Sequence, residues 1–253
     1  MFRPIFHISS RLLANLLRIN DLTHILNNQR LPHIVLMEFE RSAREVSAFA
    51  STSIEGNPLP LTEVKRILKS RPAHIRTSEQ EVLNYNEALM WLNTTLDAQS
   101  LIISKKLILD IHRKVMRSLL PKHEIGKFRH HPVVVNDPRL RTIAYLPPDY
   151  QEVDVRMHEL LDYVIQNAGE IHPILLAGIF HKQCVLIHPF MDGNGRTTRL
   201  LTKMLLARMG LNTFHLFSFE NYYNTNISKY FQMVGEIGNY YDIASSIDFT
   251  RWL

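Results

Sequence analysis

The chain has 253 residues, of which 45% are hydrophobic and 21% charged, an ordinary composition for a globular protein with a core of normal size. Lys plus Arg number 29 against 24 Asp plus Glu, a formal charge of +5, too small and too scattered an excess to point to nucleic acid. The lone cysteine, Cys184, excludes an intramolecular disulfide and a CxxC zinc site and suits a cytoplasmic protein, while apolar runs such as 174–180 fall far short of the roughly 20 residues that cross a bilayer.

Residues 1–7 offer no apolar core for a signal peptide, and from there helical periodicity dominates. Over 8–26, Leu12, Leu16, Ile19, Leu22 and Leu26 share a stripe. Pro32, favoured in a first turn, opens a second helix with a stripe of Val35, Phe39, Ala43, Val46, Ala50 and Ile54. It should stop at Gly56-Asn57-Pro58, because Gly suits the left-handed cap and Pro cannot continue. Further helices are predicted over 61–68, 78–96, 104–119, 149–167, 172–187, 195–209 and 219–234, with 211–217 a loop or short extended piece.

One stretch breaks the period. Val133-Val134-Val135, the turn at Asn136-Asp137-Pro138-Arg139, and 142–146 ending at Pro147-Pro148 read as a β-hairpin. The expected fold class is therefore all-α, a helical bundle carrying one small hairpin. The patch at Arg71-Pro72 marks the best boundary, giving an N-terminal helical region over 1–75 and the remainder over 76–253.

The informative segment is His188-Pro189-Phe190-Met191-Asp192-Gly193-Asn194-Gly195-Arg196-Thr197-Thr198-Arg199. Pro189 ends the preceding helix, and a new helix begins just after. Two glycines around Asn194 let the backbone turn sharply and approach a ligand, and unpaired amides at a helix start, beside the positive end of the dipole, form an anion site. Arg196 and Arg199, three apart, share a face and can grip phosphate oxygens in bidentate fashion. Asp192 suits Mg²⁺ bridging phosphates, and His188 can be neutral near pH 7 and take a proton. Together these describe phosphoryl or nucleotidyl transfer. The P-loop, GxGxxG and HExxH patterns are absent.

This segment matches the Fic signature HPFx[DE]GNGRxxR at every fixed position, and the chain resembles the Fic family over nearly its whole length. Gly126-Lys127-Phe128-Arg129 and His172-Pro173-Ile174 look like the family's lead-in segments, and Ser53–Asn57 and Asn84-Tyr85 like its N-terminal region. The resemblance implies transfer of AMP from ATP, with Mg²⁺, to Ser, Thr or Tyr hydroxyls of a target protein. His188 would be the base, and Phe190 would tuck into the core. Asp192 would bind the metal, Gly193, Asn194 and Gly195 would form the anion hole, and Arg196 and Arg199 would hold the phosphate tail. Thr198 stands where the family more often has a small residue and is expected to add bulk beside the nucleotide.

Ser51-Thr52-Ser53-Ile54-Glu55-Gly56 matches the family's inhibitory motif [ST]xxxE[GN], which implies that a helix over about 32–55 is a brake, with Glu55 pairing with Arg199. Glu55 also falls at a predicted helix C-terminus, where the dipole disfavours a carboxylate and a cation would compensate. In some relatives the same glutamate supports removal of AMP. The hairpin occupies the place of the family's flap, where Ile143, Ala144 and Tyr145 would present an edge to the target's backbone, Tyr145 helping to shape the entrance. A homodimer is compatible with the resemblance. Two alternatives stay open: a relative that transfers another phosphate-containing group, and a non-catalytic regulator switched by nucleotide. The thirteen histidines read as structural rather than as a zinc set, Cys184 as core packing, and the aromatic pairs Tyr222-Tyr223, Tyr230-Phe231 and Tyr240-Tyr241 as core with a minor share in binding adenine.

Overall fold

A computed structural model describes residues 2–98, 103–136, 143–208, 216 and 218–253. The helices are α1 (Ser10–Asn27), α2 (His33–Ile54), α3 (Leu61–Lys69), α4 (Thr77–Ala98), α5 (Lys105–Val115), α6 (Val153–Gln166), α7 (Pro173–Ile187), α8 (Asn194–Arg208), α9 (Phe219–Thr225), α10 (Ile227–Val234) and α11 (Tyr240–Ile243). Three short strands, β1 (Val135–Asn136), β2 (Ile143–Leu146) and β3 (Gly238–Asn239), form one sheet in the order β1-β2-β3. The fold is thus all-α with a small sheet. None of the helices among the described residues is long and apolar enough to cross a membrane.

Local chemistry accounts for most helix ends. Ser9 and Ser104 accept from the amides of Leu12 and Leu107 and cap α1 and α5. His172 caps α7, with Pro173 in its first turn. Gly56, at φ +91°, lets the chain leave α2 where a side chain would be strained. The central element is α7, most of whose residues are buried, Leu176, Ile179, Phe180 and Ile187 fully so. It packs along α8, and α2, α4 and α5 close around α8.

Four expectations change. The 219–234 helix is two helices, broken at Asn226 (φ −121°, ψ 38°), whose side chain donates to Tyr222 O; the break lets Tyr223 and Tyr230 stack at 4.6 Å. The 104–119 helix stops at Val115 because the Asn84 amide takes the carbonyls of Val115 and Arg117, and Ser118 turns left-handed. The expected hairpin is the antiparallel pair β1–β2, starting at Val135 rather than Val133, extended by β3, which runs parallel to β2 at Tyr145 and Leu146. Its turn, with Asp137, Pro138 and Arg139, lies outside the described residues, as does nearly all of 211–217. Finally, the two N-terminal stripes are only partly buried. Leu16 alone is buried in α1, while Leu22 and Leu26 are exposed. The α2 stripe is buried at Ala43, Ala50 and Ile54, but Phe39 is exposed, because the first turns of α2 reach past the bundle.

Candidate active site

The turn from α7 into α8 is held by contacts that leave its backbone little choice. His188 is the C-cap of α7 in the left-handed region, φ 50°, ψ 60°, a conformation a non-glycine residue adopts only where its surroundings impose it. The guanidinium of Arg129, itself buried, imposes it: Nε donates to His188 O at 2.8 Å and Nη2 to Pro148 O at 2.5 Å, while the Arg129 amide donates to Pro189 O. A cation thus meets the last carbonyls of α7, where the helix dipole is negative. Asn194 staples the other end, its side chain accepting from Phe190 N at 2.8 Å and donating to Phe190 O at 2.9 Å. Phe190 is fully buried and stacks on His112 at 3.8 Å between ring centroids.

His112 bridges two loops. Nε2 donates to Asp192 O at 3.0 Å and Nδ1 accepts from Gly126 N at 2.9 Å, so the lead-in loop and the signature loop share one imidazole. Burial lowers its pKa to about 4, keeping it neutral. Sequence reasoning passed over His112. The available signal was a histidine among the apolar positions Ile108, Ile111 and Val115 on one helix face.

His188 is half-buried, and its Nδ1 donates to Val185 O at 3.2 Å. The lone pair is therefore on Nε2, and burial, the largest influence, lowers the pKa. Asp192 is exposed; its Oδ1 accepts from Gly193 N at 2.5 Å and from Arg196 Nη2 at 3.2 Å. The Gly193 amide, expected in the anion hole, is thereby already engaged, and the amides left for an anion belong to Asn194, Gly195 and Arg196 in the first turn of α8, where no intrahelical carbonyl is available. Arg196 is buried beside Glu81, whose Oε1 lies 3.6 Å from Nη1, yet neither Nε nor Nη1 makes a hydrogen bond, so two buried donors are left without an acceptor. That donor set, with one exposed carboxylate, fits a phosphate chain and a hard divalent cation.

Arg199 is fully buried, and α2 and its C-cap supply acceptors for it. Nε donates to Ser51 Oγ at 2.8 Å, and Nη2 donates to Ser51 O at 2.9 Å and to Glu55 Oε1 at 2.7 Å. Burial opposes the Arg199 charge, but Glu55, Tyr230 and Tyr85 together outweigh it and the pKa is raised. The same Oε1 covers Gly195, where a Cβ would collide with it. Glu55 therefore stands in the space between the second arginine and the anion cradle.

Other residues fall elsewhere. Thr198, expected beside the nucleotide, turns to α7 and donates to Cys184 Sγ. Tyr145, expected at the entrance, is buried and donates to Leu186 O at 3.1 Å, pinning β2 to α7, whereas Ile143 is exposed; Ala144 between them is half-buried. Cys184 is core. His181 is core too, bonded to Thr202 and Tyr230. His123, Glu124 and His130 do bring three ligand atoms within 4.8 Å of one another, on a surface flanked by Lys122 and Lys127. The aromatic residues Tyr223, Tyr230 and Trp252 pack together with His181 and line a separate cavity of about 870 Å³ against α1 that no residue of 188–199 borders.

Comparison with known proteins agrees with this arrangement. Residues 102–206 match the model of the Fic/DOC family. The chain is 36% identical over 166 residues to the protein adenylyltransferase Fic of Nematostella vectensis, covering 64% of this chain and 37% of that protein. It is 32% identical over 220 residues to the Drosophila willistoni protein of the same name, covering 79% and 42%. The chain thus spans about two fifths of the length of these relatives. A Fic family protein from Desulfovibrio desulfuricans shares the fold with a TM-score of 0.79 at 24% identity, over 99% of this chain and 72% of that one. Fic-1 from C. elegans superposes with a TM-score of 0.67 at 26% identity, over 90% and 66%. Signature, fold and relatives agree: the chain carries a domain of the Fic/DOC family.

Proposed function

We propose that this protein transfers AMP from ATP to a hydroxyl of a target protein and that Glu55 restrains it. The carrying observation is the buried, acceptor-less face of Arg196 beside the first turn of α8, with the neutral His188 at its mouth. In this reading the triphosphate lies along that turn. His188 Nε2 takes the proton of the target hydroxyl, whose oxygen bonds to the α-phosphorus as the bond to the departing pyrophosphate breaks. Arg196 and the first-turn amides stabilise the charge that develops. Asp192 would hold a magnesium ion, which supplies charge neutralisation on the phosphates. Arg199 would serve the γ-phosphate, and it is the group that Glu55 occupies at 2.7 Å. On this basis 1–75, with the helix ending at Glu55, is the regulatory part and 76–253 the catalytic one. The printed name of the Nematostella and Drosophila relatives, protein adenylyltransferase, supports the same chemistry.

The target's backbone would add to the flap sheet. β3 pairs with β2 only at Tyr145 and Leu146, so Ile143 and Ala144 offer the open stretch on that side of β2 for strand addition. The acceptor would be Ser, Thr or Tyr.

Transfer from α-labelled ATP, with magnesium and a cell lysate, tests the reading in wild type, Glu55→Gly and Glu55→Gly with His188→Ala. The expected result is weak labelling by wild type, strong labelling by Glu55→Gly, and none by the double variant. Absence of label from folded Glu55→Gly protein would overturn AMP transfer and turn attention to another transferred group.

A further inference from the structure

Glu55 is the last of three positions on α2 that meet α8 at a constant four-residue step. Glu55 covers Gly195, Ser51 takes Arg199 Nε at 2.8 Å, and Ser47 takes Lys203 Nζ at 3.0 Å. The helices run antiparallel with one face of each in contact, because residues four apart lie one above another on a helix. Two rungs of this ladder lie at the candidate site. The third stands two turns from Glu55 along α2, roughly 12 Å by helical rise, and one turn from Arg199 along α8.

That third rung is built around a buried ion pair. Lys203 Nζ lies 3.2 Å from Glu220 Oε1, with Glu220 fully buried and Lys203 nearly so. Ser47 Oγ donates to Glu220 Oε2 at 3.1 Å, Ser218 Oγ to the same oxygen at 2.8 Å, and Tyr85 Oη to Oε1 at 3.0 Å. Burial works against the Glu220 carboxylate, but Lys203 and the surrounding hydroxyls outweigh it and lower its pKa. Such a pair contributes little net stability compared with apolar side chains of the same volume. What it supplies is geometry: it binds α4, α8 and α9 into one polar knot, and α2 joins it through Ser47, accepting from Lys203 and donating to Glu220, with Ser51 also on Tyr85.

We propose that Ser47, Lys203 and Glu220 are positioning residues that fix the register of α2 on α8 and so hold Glu55 over Gly195. The inference rests on the AMP-transfer reading for its enzymatic consequence, and on the structure alone for the register. Its prediction is specific to the brake: loosening the third rung weakens inhibition while leaving the cradle intact.

Ser47→Ala is the clean perturbation, since it removes the two Ser47 bonds between α2 and the knot and leaves Lys203, Glu220, Tyr85 and Ser218 paired with one another. It is made in the full chain, in the native background and in Glu55→Gly, and read by label transfer and by amide hydrogen exchange across 43–55. The expected outcome is about 10-fold more labelling in the native background, the lower end of what a hydrogen bond to a charged group supports. In Glu55→Gly it should change nothing, and exchange should quicken across 43–55 but not across 173–187. An equal change of labelling in both backgrounds would reduce the trio to ordinary structural support. If even Glu55→Gly fails to label, the function reading has failed, and exchange alone decides: faster exchange confined to 43–55 upholds the register role, and unchanged exchange overturns it.

Discussion

The signature turn and the helix that covers it are held in opposite ways. The turn at 188–194 is clamped by the helical bundle itself, through Arg129, His112 and the Asn194 staple. The C-terminal half of α2 touches α8 through a polar ladder of two serines and one carboxylate. The first arrangement tolerates no alternative, since each contact satisfies a buried backbone group that would otherwise be costly. The second exchanges polar partners that water or phosphate oxygens can replace. On the proposed function, a cradle that keeps its shape through turnover and a cover that leaves it are separated in the same fold.

The sharpest way to break that comparison is to remove the base and leave the cradle. His188→Ala in the Glu55→Gly background should lower transfer by roughly 10²–10⁴-fold with ATP affinity, measured by calorimetry, within about threefold of the parent, because the His188 side chain lies outside the amide and Arg196 cradle. A parallel loss of affinity would mean that the turn depends on the imidazole for its shape.

Acid acts on the clamped half next. His112 and His181 are neutral in the fold, with pKa values lowered by burial to about 4 and about 3. The unfolded chain binds protons at these residues below about 6.5, whereas the folded chain does not until far lower pH. Stability should therefore be unaffected by them above pH 6.5 and fall as pH drops toward 4, with His112 alone accounting for about 3 kcal/mol. His112→Asn should flatten the denaturant-midpoint profile between pH 6.5 and 4; an unchanged slope would remove His112 from this account. The lowered His188 pKa has the matching effect on activity: transfer by Glu55→Gly should persist below pH 6.5, where an ordinary imidazole would already be protonated.

The covering half responds to a smaller change. Glu55→Gly should raise transfer by roughly 5–150-fold, the range of a coupling of about 1–3 kcal/mol, and should tighten ATP binding with little effect on the thermal midpoint. A midpoint drop of many degrees would show that α2 is part of the core rather than a cover over it. The smallest effect belongs to α1, whose Leu17 is 59% exposed. Leu17→Glu should change stability by less than about 0.5 kcal/mol, measured by urea unfolding, and leave transfer unchanged.

Much of this was legible in the chain. The helix ends at Ser9, Ser104, His172-Pro173 and Gly56 follow from capping groups within a few residues of the backbone they satisfy. The segment 188–199 carries its chemistry in its own residue types, whereas Glu55 stood out only through the resemblance of 51–56 to the family's inhibitory motif. What depended on tertiary structure was each feature whose partner lies far along the chain. The stripe of α1 and that of α2 have the same period, yet one is largely exposed and the other buried at Ala43, Ala50 and Ile54, because periodicity specifies a face and not what covers it. β3 finds β2 across more than ninety residues, and the break at Asn226 lets Tyr230 reach Tyr223 and His181. The Gly193 amide donates to Asp192 Oδ1, a contact made by the geometry of the turn. Short-range hydrogen bonds are written in the sequence because both partners are neighbours. The meeting of Ser47 with Lys203 and Glu220 required the whole bundle to close around them.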